Sequence, residues 1–291
     1  MKFFTSFFFL SLLSLSGIAQ TRHGYDLGKP DQVLILPDTL REISGLTKLD
    51  ESTIACVQDE NGIVFIYDVL ENVIRKQFTF HLDGDYEGIT RVGKTLYILR
   101  SDGSLFEISD YESEDFKVEV YETGIPVSNN EGLCHDAAGN RLLIGCKSKP
   151  GKGPEFKNHR VVYGFDLTDK KLSSKPVFDF DITDLRRFAA ENDIALPLKS
   201  KKNSEAQESV IRFTTSALSI HPVTHQLYLL SSTDPMLFIF DRKGKIEHIE
   251  LLDKVLFNKS EGITFFENGD MMISNEGQSN KPTLLRFNYK P

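Results

Sequence analysis

An all-β fold is predicted for this chain: a five-bladed β-propeller of four-stranded antiparallel blades, with a short helical insertion between blades 3 and 4. A tag that recurs at nearly constant spacing predicts it, together with the strand-and-turn series that follows each tag. The tags are Ile43-Ser44-Gly45-Leu46-Thr47, Tyr86-Glu87-Gly88-Ile89-Thr90, Asn130-Glu131-Gly132-Leu133-Cys134, Thr215-Ser216-Ala217-Leu218-Ser219 and Ser260-Glu261-Gly262-Ile263-Thr264. Their second residues stand at 44, 87, 131, 216 and 261, so the steps are 43, 44, 85 and 45 residues. A repeat of roughly 40–50 residues marks an architecture assembled from copies of one supersecondary unit.

Each tag opens a series of short runs rich in β-branched and aromatic residues, divided by turn residues. The first copy continues with strands at 53–57, 63–67 and 73–80. The second continues with 95–100, the turn Ser101-Asp102-Gly103, then 104–108 and 116–121. The third has 141–146, 160–165 and 175–180. Four strands per copy is the content of a propeller blade. The step of 85 holds an insertion, about 181–213, in place of a sixth blade. Asp181-Ile182-Thr183-Asp184 reads as a capped helix start, and Ile182, Leu185, Phe188 and Ala189 fall at helical spacing. The polar tract 199–208 that follows has no alternation and reads as a loop. The last copy supplies three strands, at 261–266, 270–274 and 283–287. The segment 32–36 is expected to add the fourth and close the ring, which removes the open strand edges that invite aggregation.

The first residues form a signal peptide pattern: Lys2, an apolar stretch over 3–15, then Ser16-Gly17-Ile18-Ala19 as a small-residue cleavage site. Residues 1–19 are therefore read as a leader and 20–291 as the propeller domain, exported to the periplasm or secreted. The alternative is an uncleaved N-terminal membrane anchor, since the apolar run approaches spanning length. No other run does, so no transmembrane span is expected after signal removal. Acidic residues outnumber basic ones 42 to 34, which argues against nucleic acid or anionic lipid as a partner. The expected partner is a ligand or protein at one face of the disc. Cys56, Cys134 and Cys146 sit in apolar runs without metal-binding spacing and read as small core residues, with a Cys134–Cys146 bridge as the alternative.

The first strand of each blade lines the axis of a propeller, so a residue repeated at its start is repeated around one hole. Glu87, Glu131 and Glu261 hold that position in three copies, and Ser44 and Ser216 in the other two. The Gly or Ala that follows allows backbones to approach closely. Three converging carboxylates repel unless protonated or neutralised. Calcium, which takes six to eight oxygen ligands in loose geometry, suits such a ring better than magnesium does. Candidate metal ligands are thus Glu87, Glu131, Glu261, Ser44, Ser216 and Asn130, with Asp85 and Glu42 nearby. In the alternative, the glutamates recur through duplication and face channel water. A second polar set follows the second strands: Asp59-Glu60-Asn61, Ser101-Asp102, Lys147-Ser148, the run 231–234 and Ser274-Asn275-Glu276. Most of these read as ordinary turn residues.

Hydrolase, metalloprotease and phosphate-loop motifs are absent. The run 83–88 resembles the opening of an EF-hand loop, but Lys94 stands where the closing Glu belongs. His135 and His221 fall in or beside first strands and read as core histidines before catalytic ones.

The Ser-Gly-Leu and Glu-Gly-Ile/Leu tags, the pair Tyr67-Asp68, and the run 216–222 with 226–231 resemble the SdiA-regulated family of exported, distantly NHL-repeat-like propellers. That resemblance implies five blades and a bound calcium, and says nothing of chemistry. More distantly, Glu87, Glu131 and Glu261 are similar to the first-strand acids of gluconolactonase-like and paraoxonase-like propellers, which hold a catalytic calcium. Three readings of function follow. The first is an exported calcium-binding propeller that acts as a binding or scaffold module. The second is a metal-dependent hydrolase of lactone, ester or phosphoester substrates. The third is a metal-free protein-interaction platform that uses the 181–213 insertion.

Overall fold

The computed structural model describes residues 23–200 and 207–291. The expected leader, residues 1–19, lies outside them. Five antiparallel sheets form the blades of the fold, four of them four-stranded and one with its outermost strand divided in two. Blade 1 contains Ile43–Lys48, Thr53–Gln58, Ile63–Asp68 and Val73–Thr79. Blade 2 contains Tyr86–Val92, Thr95–Arg100, Ser104–Ser109 and Lys117–Glu122. Blade 4 contains Thr215–Ile220, Leu227–Ser231, Met236–Phe240 and Ile246–Leu251. The expected strands are present, with ends shifted by a residue or two.

Blade 3 departs from the regular form at its outer edge. Its first three strands are Asn130–Asp136, Arg141–Cys146 and His159–Asp166. The fourth is split, because Lys171–Leu172 pairs with one end of the third strand and Phe178–Asp181 with the other. Pro176 stands in the gap. It lacks the N–H a continuous ladder needs, which confines proline to interruptions and edges of this kind.

Ring closure follows the expected route. Blade 5 contains Ser260–Phe265, Met271–Asn275 and Thr283–Phe287, and Gln32–Ile35 completes it from the other end of the chain. The clasp is longer than one strand. Tyr25 is buried, its hydroxyl donates to the Gly269 carbonyl at 2.5 Å, and the Lys290 N–H donates to the Gly24 carbonyl at 2.8 Å. Each inner strand lies against the next, and that of blade 5 lies against that of blade 1. Five separate apolar cores sit in the wedges between successive blades. Aromatic contacts fill them, as in the Phe180–Phe240 stack, whose centroids are 4.1 Å apart.

The insertion begins as expected. Asp181 caps the helix Ile182–Glu191 by accepting from the Thr183 N–H at 2.7 Å. Ile182, Leu185 and Ala189 bury themselves in the wedge between blades 3 and 4, where Phe213 joins them. The polar tract is not a plain loop at its ends, since Leu198–Ser200 pairs antiparallel with Gln207–Ser209; residues 201–206 lie outside the described residues. All three cysteines are free and buried, so the Cys134–Cys146 bridge does not form. No helix among the described residues is long and apolar enough to cross a membrane.

Candidate metal centre at the acidic mouth

The second residue of every tag is the site of a break in strand register. The ladder between first and second strands slips between Ile43 and Gly45, Tyr86 and Gly88, Asn130 and Gly132, Thr215 and Ala217, and Ser260 and Gly262. The residues left unpaired are Ser44, Glu87, Glu131, Ser216 and Glu261. A β-bulge re-aims the extra side chain and sharpens the local twist. Here it repeats five times around one axis.

Immediately beyond the bulge the inner strands touch. A Cβ on Gly88 would stand 2.8 Å from Leu133 Cβ and 3.2 Å from the Glu131 carbonyl oxygen. On Gly262 it would stand 2.2 Å from Leu46 Cδ2. Leu46, Ile89, Leu133, Leu218 and Ile263, one from each blade, are buried around the axis below the bulges. The space they enclose with Ser44, Glu87, Glu131 and Glu261 is only about 10 Å³. That is about the room one water-sized guest requires, so an organic molecule has no place inside the ring.

The three tag glutamates share one electrostatic environment. Burial, followed by repulsion from Glu131, Asp85 and Glu261, pushes Glu87 up to about 9. Burial and then repulsion from Glu131 and Glu276 push Glu261 up to about 8. Burial raises Glu131 as well, but Lys147 opposes the shift through an ion pair of 2.5 Å from Nζ to Glu131 Oε1. The other oxygen, Glu131 Oε2, is buried and has no hydrogen-bond partner among the described residues.

Around the ring lies a second tier that joins both ends of the chain. Glu42 and Asp59 come from blade 1 and Glu276 from blade 5. Each offers an oxygen, and these oxygens lie within 4.8 Å of one another. That spacing is what ligands at about 2.3–2.6 Å from one calcium require. Among the described residues it is the one group of three metal-ligating side chains gathered so tightly; Glu87, Glu131 and Glu261 interact without reaching it. Burial raises Asp59 to about 6, with Glu42 the next cause, and raises Glu276 to about 7 against the pull of Lys259. Lys259 Nζ stands 2.5 Å from Glu276 Oε2. Asp59 Oδ1 and Ser274 Oγ are further buried oxygens without hydrogen-bond partners among the described residues.

The other expected ligands are placed differently. Ser44 lines the small axial space, and its hydroxyl donates to the Glu42 carbonyl at 3.1 Å. The Ser216 hydroxyl donates to the Ser260 carbonyl at 2.8 Å and ties blade 4 to blade 5. Asn130 Nδ2 donates to the carbonyls of Ser101 and Val127, which leaves its buried Oδ1 as the unused acceptor. Lys147 and Lys259 were not expected at the site. Lys147, Asp59 and Glu276 all belong to the polar set after the second strands, whose common position was the available signal. His221 is a core histidine, as expected. Its Nδ1 accepts from the Val223 and Thr224 N–H groups, its Nε2 lies 2.7 Å from the Tyr25 hydroxyl, and burial lowers it to about 4.

Comparison with solved structures agrees with the architecture. The chain is similar in fold to a glutaminyl cyclase from Myxococcus xanthus. The TM-score is 0.57 at 11% identity, over 90% of this chain and 96% of that one. A streptogramin B lyase matches with a TM-score of 0.48 at 11% identity, over 88% of this chain and 97% of that one. A chain of the mitotic checkpoint complex also matches with a TM-score of 0.48 at 11% identity, over 91% and 95% of the two chains. At such identity the likeness concerns the fold alone. No family model matches the sequence, and no curated protein matches it.

Proposed function

We propose that this chain is an exported propeller that holds one calcium ion at its acidic mouth and works as a binding or scaffold module, in keeping with its resemblance to the SdiA-regulated family. The observation that carries this reading is the charge balance of the mouth. Seven interacting carboxyl groups, those of Glu42, Asp59, Asp85, Glu87, Glu131, Glu261 and Glu276, face two lysines, Lys147 and Lys259. Burial first, and then mutual repulsion, holds several of them protonated well above the usual carboxylate range. Glu42, Asp59 and Glu276 have the spacing to bind the ion directly, and the tag glutamates, coupled to that tier through Glu261 and Glu276, would release protons as the ion binds. An ion held by blade 1 and blade 5 together would reinforce the seam at which the ring closes. The enclosed axial space admits one small guest and no organic substrate, which disfavours the hydrolase that would use an ion on the axis.

Two triple variants, E42Q/D59N/E276Q and E87Q/E131Q/E261Q, test the assignment by thermal unfolding in calcium and in chelator. Calcium at a hundredfold excess over its Kd should stabilise the wild type by about 2.7 kcal/mol, and the first variant should lose that gain entirely. The second variant should keep a reduced gain. A wild-type melting curve that calcium never moves rejects the metal, and chelator-sensitive turnover of lactones or aryl esters rejects the module in favour of the hydrolase.

The protonation states add an expected pH dependence. An acid whose folded pKa is raised binds its proton more tightly folded than unfolded. Its contribution is therefore complete below the ordinary value of 4.5 and is lost as pH rises through about 8 for Glu261 and about 9 for Glu87. In chelator the melting temperature should fall steadily from about pH 5 to pH 9. Calcium should flatten that slope, and its apparent affinity should rise over the same range because binding must displace protons.

A further inference from the structure

We propose that the opposite mouth of the propeller is a second, independent binding pocket, built for a small organic anion bearing a carboxylate or phosphate group. Each inner strand starts at the acidic mouth and ends at the other face. The residue four places after the bulge-preceding tag start is Thr47, Thr90, Cys134, Ser219 or Thr264, and the next is Lys48, Arg91, His135, Ile220 or Phe265. Three blades thus place a basic or imidazole side chain at this end, and two place an apolar one. The buried aliphatic ring at the axis separates the two mouths. The cavity here is about 660 Å³, within the range of roughly 300–1,000 Å³ typical of small-molecule pockets.

Charge and hydrogen-bonding capacity at this mouth are the reverse of the other. Lys48, Arg91 and Arg242 line the cavity, and Glu267 is the one acid that does. Arg91 is fixed without being neutralised. Its Nε donates to the Gly93 carbonyl at 2.7 Å and its Nη1 donates to the Leu49 carbonyl. No carboxylate pairs with it among the described residues. Arg242 Nη2 stands 2.8 Å from Asp136 Oδ1, while Arg141 Nε stands 3.0 Å from Asp136 Oδ2. Two guanidinium groups therefore share one buried carboxylate, which leaves an excess positive charge. Lys48 pairs with Glu267 at 2.6 Å, but Glu267 is 77% exposed, and an ion pair with a partner so solvated contributes little and is readily exchanged.

Two imidazoles complete the lining. The side chains of His135 and His225 line the cavity and have no hydrogen-bond partner among the described residues. Burial lowers the His135 pKa, so at neutral pH this ring presents one N–H donor and one acceptor. Phe265, Pro222 and Ile220 supply an apolar wall. Fixed guanidinium groups, loose polar donors and an apolar wall are what a carboxylate or phosphate attached to a small carbon skeleton would require. The surface is positive in a chain whose formal net charge is −8, so the local field at this mouth opposes that of the molecule as a whole and would steer anions to it.

The test uses the full chain in calcium-free buffer, with succinate and inorganic phosphate as probes. Binding is followed by titration calorimetry and by the imidazole proton resonances of His135 and His225. At least one probe should bind at millimolar concentration or below and shift both histidines. Succinate alone, or phosphate alone, names the recognised group. Arg91→Gln and Arg242→Gln should each weaken binding about tenfold, roughly 1.4 kcal/mol. Lys48→Gln, which touches no buried partner, serves if either arginine variant melts early and should weaken binding in the same direction. The acidic-mouth variant E42Q/D59N/E276Q should bind the probes as the wild type does. Silence of both probes at the two histidines overturns the proposal, and so does binding that R91Q, R242Q and K48Q leave unchanged.

Discussion

Replacing Lys147 by Met should destabilise the calcium-free protein by roughly 3 kcal/mol at pH 8, and by much less at pH 5. Glu131 is 6% exposed at its side chain, and Lys147, 2.5 Å away, is its ion-pair partner. Removing one member of a buried pair leaves the other uncompensated, which costs about 3–5 kcal/mol in fully buried cases. Lys147 is a third exposed, so the lower end applies. The dependence on pH follows from the direction of the shift. Burial raises Glu131 even with Lys147 present, and without the lysine it rises further. At pH 5 the variant's Glu131 takes up a proton at little cost; at pH 8 that proton is held against a growing penalty. Chemical denaturation at the two pH values reads the difference directly. Calcium should restore more stability to this variant than to the wild type, because the ion then supplies the countercharge that Lys147 no longer does. A loss of equal size at both pH values would mean that the lysine stem matters through packing and that its charge does not.

Replacing Gly88 by Val should cost about as much, by a mechanism without charge. The added Cβ meets Leu133 Cβ at 2.8 Å and the backbone of the neighbouring strand at 3.2 Å. A side chain could turn aside, but the Glu131 carbonyl and the Leu133 amide cannot. Overpacking of a close-packed region costs about 1–3 kcal/mol, and the upper end is expected where backbone is the obstacle. For a chain of this size each kcal/mol lowers Tm by about 2–4 °C, so a fall of about 6–12 °C should appear in a thermal scan. Because the displaced strand carries Glu131, the same variant should lose its response to calcium beyond what its lowered Tm explains. Gly28→Ala is the control. It is exposed, lies outside the left-handed region, and an added Cβ meets only Asp26 Oδ1, at an ordinary 3.5 Å.

The two variants divide the site according to what was legible in the sequence. Gly88 was legible, because a small residue after each tag acid is visible in the repeat and needs only the knowledge that inner strands meet at an axis. Lys147 was not, because it lies after a second strand whose residues look like any turn. What brought it to Glu131 is the pairing of first and second strands within blade 3, in which Asn130 stands opposite Cys146. The bulge that leaves Glu131 unpaired has no local marker beyond the glycine after it. The same limit hid the tier formed by Glu42, Asp59 and Glu276, since two of the three come from the first blade and one from the last.

Blade count, strand order, the helical insertion and the strand that closes the ring are properties of periodicity, and periodicity is local information repeated. For that reason the sequence by itself determined them, along with the recurrence of glutamate at one point of the repeat. Which carboxylates gather to ion-binding distance, which lysines oppose them, and how the far mouth comes to be positive were decided only by the tertiary structure. These depend on contacts between residues more than 200 positions apart across the closing seam, and on the direction in which a bulged strand turns its side chains. Electrostatic energy depends on distance in space and on burial, and a repeat reveals neither until its copies are closed into a ring.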